Sequence, residues 1–179
     1  MIEIVTEDVE VLIEHYPNHK ALNRRLLIDA DSCTYDHSYK TNVWGKHSDW
    51  NVSSPHIKVI QRWVKRTILS YLERDKKFWD QVFWEHVETW FARYDLGDYT
   101  KPHSHMPYHF GWVYFVKTPI GSSPLVFHNR KIKIKAEEGK LVIFPAILVH
   151  SVPRNNCRDR VVLSGNVGND FSKLQIKTD

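Results

Sequence analysis

Three histidines and one arginine carry the chemistry that is legible in this chain. His103 and His105 lie two residues apart in the run Tyr94-Asp95-Leu96-Gly97-Asp98-Tyr99-Thr100-Lys101-Pro102-His103-Ser104-His105; His150 follows Phe144-Pro145 far downstream, and Arg160 comes ten residues after it. Imidazole is a good ligand for Fe(II), Zn, Cu and Ni. Two histidines at i and i+2 on a strand point to one face, so His103 and His105 can converge on a single ion. A guanidinium pairs bidentately with a carboxylate and stays charged at any working pH. The set looks like a mononuclear iron site with an anionic co-substrate.

Such ligands need elements that bring distant positions together. Before Trp90, residues 18–28 read as a short helix, and Ser54-Pro55 opens a longer one with a capping Ser and Pro at its first position. Ile60, Val64, Ile68 and Leu72 recur there at helical spacing, with Trp63 and Tyr71 widening the apolar stripe. Residues 41–50 show neither period and carry turn formers, which predicts a loop with Trp44 and Trp50 as aromatic anchors and a candidate lid. From Phe83 onward the texture changes to short β-rich runs at 88–94, 111–116, 125–128, 131–135, 141–144, 149–153 and 160–166. Short strands separated by Gly and Pro argue for a closed sandwich. The predicted fold is mainly β with N-terminal helices, a double-stranded β-helix (jelly roll, cupin-like). Residues 1–179 form one domain, with 1–82 a mainly helical support and 83–170 the β-helix core. His103 and His105 are expected at the start of a strand after the Gly97-Asp98 turn, and His150 on a late strand.

Bulk properties limit the alternatives. A chain of 179 residues with 42% hydrophobic residues holds one substantial core and no second catalytic domain. The N-terminal run MIEIVTEDVEVLIEHYP is acidic where a secretory signal needs basic residues, and nowhere do eighteen apolar residues follow one another. Cys33 and Cys157 are far apart and form no CxxC motif, which fits a reduced compartment. A soluble, cytoplasmic protein is expected. A net charge of +4 is weak support for nucleic acid, and a small anionic co-substrate accounts for it equally well.

From Glu88 to Asn166 the chain resembles the iron(II)/2-oxoglutarate-dependent oxygenases of the prolyl-hydroxylase type. Their pattern is Tyr-x-x-Gly, then His-x-Asp, then a distal His followed ten residues later by Arg or Lys. Tyr94-Asp95-Leu96-Gly97, His103-Ser104-His105, His150 and Arg160 stand at those intervals. The chain is also similar to short oxygenase-like proteins of marine phages and bacteria, which share a GDY…HxH start, a Ser-Pro-Leu-x-Phe strand, an EGxLVxFP run and an Arg-(β-branched)-x-x-Ser-x-Asn ending. The resemblance implies Fe(II), 2-oxoglutarate and O2, with a substrate hydroxylated and succinate and CO2 released. It makes His103 and His150 iron ligands, Arg160 the partner of the far carboxylate of 2-oxoglutarate, and Tyr94 a hydrogen-bonding neighbour of that co-substrate.

One position departs from the pattern, because His105 stands where the family has a carboxylate. A neutral imidazole leaves the site one charge more positive. Three outcomes are open: His105 ligates in a three-histidine site, which is the favoured reading; a water or halide takes the place; or the site is degraded. Ser164 and Asn166 share a strand face with Arg160 and are read as co-substrate or substrate contacts, or else as ordinary inward polar groups. Tyr108, His109 and Trp112 are the substrate candidates. The alternating row Tyr108, Phe110, Trp112, Tyr114 fits half a sheet core better than a cavity wall. Lys131, Lys133 and Lys135 could meet phosphate, yet lysines in such a row more often protect a strand edge. Two rival functions stand beside the oxygenase: a cupin-like three-histidine metal enzyme that does not use 2-oxoglutarate, and an inactive β-roll binding module. The substrate, whether small molecule or protein, is not readable.

Overall fold

The computed structural model describes residues 9–36, 41–72, 84–128 and 132–169. In chain order the elements are β1 (Leu12–His15), α1 (His19–Asp31), β2 (Tyr35–Asp36), β3 (Val43–Trp44), β4 (Lys46–Ser48), α2 (Pro55–Leu72), β5 (Trp84–Tyr94), β6 (Tyr99–His103), β7 (Phe110–Lys117), β8 (Leu125–Phe127), β9 (Ile132–Ile134), β10 (Lys140–Pro145), β11 (His150–Val152) and β12 (Arg160–Asn169). They build a seven-stranded sheet of order β1-β10-β7-β12-β5-β4-β2 and a five-stranded sheet of order β3-β6-β11-β8-β9, with antiparallel pairing throughout both. This is the jelly-roll-like architecture that the sequence predicts. Lys131 lies outside the described residues, while Lys133 and Lys135 are exposed on or beside β9 at a sheet edge, where charge discourages further strand pairing. No described helix is long and apolar enough to cross a membrane.

The helices cover one face of the large sheet. Ser54 caps α2 as expected: its hydroxyl accepts the Ile57 N–H (3.1 Å) and donates to Asp29 on α1 (2.5 Å). Ile57, Ile60, Val64, Ile68 and Leu72 then fall on one face of α2, where they pack with Leu26 and Ala30 of α1 against Phe91, Phe110, Trp112, Tyr114, Leu141, Ile143, Val161 and Leu163 of the sheet. The second core lies between the sheets and includes Trp90, Ala92, Tyr94, Val113, Phe115, Leu125, Phe127, Val142, Phe144, Val152 and Val162. Strand periodicity makes this division, because successive side chains point to opposite faces. On β7, Phe110, Trp112, Tyr114 and Val116 go to the helices, while Val113 and Phe115 go between the sheets.

Two expectations change. Residues 41–50, expected as a loop, hold β3 and β4: Val43 and Trp44 pair with Thr100 and Tyr99, and Lys46 and His47 pair with Arg93 and Ala92. Trp44 stacks on Tyr99 with ring centroids 5.3 Å apart, so this lid candidate is docked in the sheet. His103 closes β6 rather than opening a strand, and His105 lies beyond it, its main-chain N–H bonding the carbonyl of Ala146 (2.8 Å).

Candidate metal centre

The turn that feeds β6 fixes the first ligand. Gly97 has φ +86°, a conformation that costs a side-chain-bearing residue energy, and its N–H bonds the carbonyl of Asn155 (2.8 Å). Asn155 is buried, and its side-chain amide donates to the carbonyl of Cys157 (2.8 Å) and to that of Tyr94 (3.4 Å). With the turn held, β6 pairs with β11 in a register that sets His103 directly opposite His150. His105 enters from the loop after β6, stacked near Trp90 (6.0 Å, 21° between planes) and edge-on to Phe144 (5.5 Å). Gly111 makes room for that packing, since a Cβ there would sit 2.7 Å from the Phe144 ring and 3.1 Å from His105 Cγ.

The three imidazoles are prepared in one tautomer. Nδ1–H of His103 donates to the carbonyl of Lys101 (2.8 Å), Nδ1–H of His150 to that of Leu148 (3.1 Å), and Nδ1–H of His105 to the side-chain oxygen of Asn166. Each bond leaves Nε2 as the free lone pair. Nε2 of His105 and Nε2 of His150 lie 3.2 Å apart, and ligand atoms from all three residues fall within 4.8 Å of one another. Metal–nitrogen bonds of about 2.0–2.1 Å set ligand nitrogens roughly 3 Å apart, so small side-chain rotations close the set on one ion. Burial pushes the pKa of His103 down, that of His105 to about 4 and that of His150 well below its ordinary value, with mutual repulsion adding to the effect for His105 and His150. All three are therefore neutral at pH 7, the form that binds metal.

The same cavity is lined by Trp90, Tyr94, Thr100, Arg160, Val162 and Ser164 as well as the three histidines. Arg160 is 1% exposed, lies against the Tyr94 ring (4.5 Å) and the Phe115 ring (5.6 Å), and has Nε and Nη1 without hydrogen-bond partners. Burial lowers its pKa, but a guanidinium remains cationic. The Tyr94 hydroxyl bonds Thr100 (2.7 Å) in the same lining. No Asp or Glu is among the described residues that line the cavity. A buried cation with two orphaned donors, facing a cavity whose walls supply no anion, is complementary to a carboxylate ligand.

The sequence-named residues divide accordingly. His103, His105, His150, Arg160, Tyr94 and Ser164 meet around this cavity. Asn166 shares their strand face, but its side chain is bonded to His105 and Glu88 instead of lining the cavity. Tyr108, His109 and Trp112 do not line it. Trp112 is wholly buried in the helix-side core, because the pleat of β7 turns it away from the site, and Tyr108 lies beside Glu88. Sequence reasoning missed Trp90, Thr100, Asn155 and Glu88. Their only prior signal was alternation with Ala92 and Tyr94 for Trp90 and Glu88, which does not say which face holds the chemistry.

No protein-family model matches the sequence, and no curated protein matches it. Solved structures do. A prolyl-4-hydroxylase from Pseudomonas putida superposes with a TM-score of 0.69 at 15% identity, covering 90% of this chain and 93% of that one. The viral collagen prolyl hydroxylase of Paramecium Bursaria Chlorella virus-1, in complex with 2OG, gives 0.61 at 16% identity over 87% and 94% of the two chains. HygX from Streptomyces hygroscopicus, with nickel and 2-oxoglutarate bound, gives 0.62 at 8% identity over 91% and 84%. The chain thus has the fold of the 2OG-Fe(II) oxygenases of prolyl-hydroxylase type.

Proposed function

We propose that this protein is an Fe(II)- and 2-oxoglutarate-dependent oxygenase with a three-histidine metal site, hydroxylating a substrate and releasing succinate and CO2. The observation that carries the reading is the pairing, within one cavity, of three neutral imidazoles presenting Nε2 with a buried guanidinium whose Nε and Nη1 have no partner. His103, His105 and His150 would hold the ion. Iron held there would supply the O2 activation needed for oxidative decarboxylation of the keto acid. Arg160 neutralises and orients the far carboxylate of the co-substrate, with its guanidinium held over the rings of Tyr94 and Phe115. Trp90, Val152 and Val162 keep water from the walls, and that low local dielectric strengthens the Arg160–carboxylate pair.

The charge balance favours the same reading. A site built from three imidazoles and an arginine has no anion of its own, and a dianionic keto acid supplies two. A metal enzyme that does not use 2-oxoglutarate shares the histidines but leaves the orphaned donors of Arg160 unexplained. The test is calorimetric titration of the anaerobic Fe(II)-loaded protein with 2-oxoglutarate. Arg160→Ala is expected to weaken binding by about 100-fold, the cost of removing one partner from a buried charge pair, while metal content stays the same. Equal affinity in the variant removes Arg160 from the co-substrate site and with it the main support for the oxygenase reading.

A further inference from the structure

The three ligands are not held alike. His103 and His150 donate Nδ1–H to main-chain carbonyls two residues away on their own segments. His105, which no strand supports, is held by a side chain 61 residues further along the chain: Asn166 Oδ1 accepts from its Nδ1, and the Asn166 amide donates to Glu88 Oε2 at 2.6 Å. Asn166 is buried, Glu88 is its direct cross-strand neighbour on β5, and half-buried Tyr108 also bonds Glu88, its phenol pushed up by burial and by that hydrogen bond.

We infer that Glu88 and Asn166 form a positioning relay that turns His105 into the third metal ligand, in the place where the resembling family uses a carboxylate. The inference rests on the metal-site reading above. The physical argument concerns the two ends of the amide. Asn166 by itself could face His105 with either its oxygen or its NH2. The Glu88 carboxylate accepts hydrogen bonds only, so it takes the NH2 end and turns the oxygen toward His105. That oxygen in turn requires a proton on Nδ1, which leaves the Nε2 lone pair facing His150. The carboxylate thus selects the tautomer at one remove, and its negative charge, passed through a polarised amide, strengthens imidazole as a donor. His103 and His150 need no such relay, because a carbonyl is an acceptor in every orientation.

The test uses Co(II) as the probe, with affinity by competition and the visible d–d spectrum as readouts that do not depend on turnover. Glu88→Ala and Asn166→Leu are expected to bind Co(II) about 10- to 100-fold more weakly than wild type, the range for loss of an outer hydrogen-bond partner, and to show an altered d–d band. Glu88→Gln, whose amide oxygen still accepts from Asn166, is expected to recover most of the loss and guards against misfolding. The deciding comparison is made in a His105→Asp background. A carboxylate ligand has no tautomer to select, so Glu88→Ala is expected to change Co(II) affinity there by less than about 2-fold. Equal Co(II) binding by wild type, Glu88→Ala and Asn166→Leu, or an equal loss in both backgrounds, overturns the relay while leaving the metal site standing. A wild-type protein that binds no Co(II) overturns the metal-site reading and the relay together.

Discussion

The two faces of the seven-stranded sheet are built from the same strands and do opposite work. On β12, Val161, Leu163 and Val167 go under the helices, while Arg160, Val162, Ser164 and Asn166 face the five-stranded sheet. The helix side is closed mainly by apolar contact; Tyr114 pairs with Asn23 (2.7 Å), while Trp112 Nε1 and His86 Nδ1, both neutral groups, are left without partners. The site side keeps a buried guanidinium with two unpartnered donors and packs three imidazoles around one point. The difference is one of charge and access: the first face carries mainly apolar packing, and the second keeps an unpartnered cation on a cavity, where a ligand can satisfy it.

Substitutions on β12 separate the two roles. Leu163→Ala removes a fully buried side chain on the helix face and is expected to cost about 2–5 kcal/mol in chemical denaturation, with Co(II) affinity of the remaining folded protein unchanged. Arg160→Met, three residues away on the other face, is expected to leave the stability of the ligand-free protein within about 1 kcal/mol of wild type or to raise it, because a buried unpaired charge is lost. A large destabilisation by Arg160→Met would show that the site face also carries stability and would break the comparison.

Acid gives a second contrast. Burial takes the pKa of His105 from 6.5 to about 4 and moves His103 and His150 in the same direction. In the unfolded chain these groups take up protons near 6.5, so below that pH the unfolded state binds more protons and stability falls as pH drops toward 4. His105 alone corresponds to a loss of about 3 kcal/mol across that window. His47 and His86 shift the same way, so the share of His105 is read as the flattening of the pH profile in His105→Gln, followed by urea unfolding with chelator present. An unchanged profile would show that His105 is not held neutral by its surroundings. Lys133→Glu, outside both faces on an exposed edge, is expected to move stability by no more than about 0.5 kcal/mol.

Much of this arrangement was legible in the residues, and what was not has physical reasons. The spacing of His103, His150 and Arg160 anticipated their meeting, and the stripe of Ile60, Val64, Ile68 and Leu72 anticipated the buried face of α2. Period two separated the faces of β7 and β12, but period alone does not say which face the helices cover, so Trp112 could be suspected of lining a cavity that it does not touch. Strands of two or three residues have no period to detect, which hid β3 and β4 within a loop-like run. Glu88 and Asn166 are 78 residues apart, and only the β5–β12 register makes them neighbours. The His-x-His spacing suggested a shared strand face, whereas His105 reaches the centre from a loop and depends on a side-chain anchor.

The most direct test of the central claim is optical. Anaerobic protein is titrated with Fe(II) and then 2-oxoglutarate while the visible spectrum is followed for the metal-to-ligand charge-transfer band of a chelated keto acid. A saturable band, abolished in His103→Ala and shifted to much higher 2-oxoglutarate concentration in Arg160→Ala, is the predicted result. A wild-type protein that binds Fe(II) yet gives no band with 2-oxoglutarate would contradict the oxygenase assignment and leave a three-histidine metal protein of another kind.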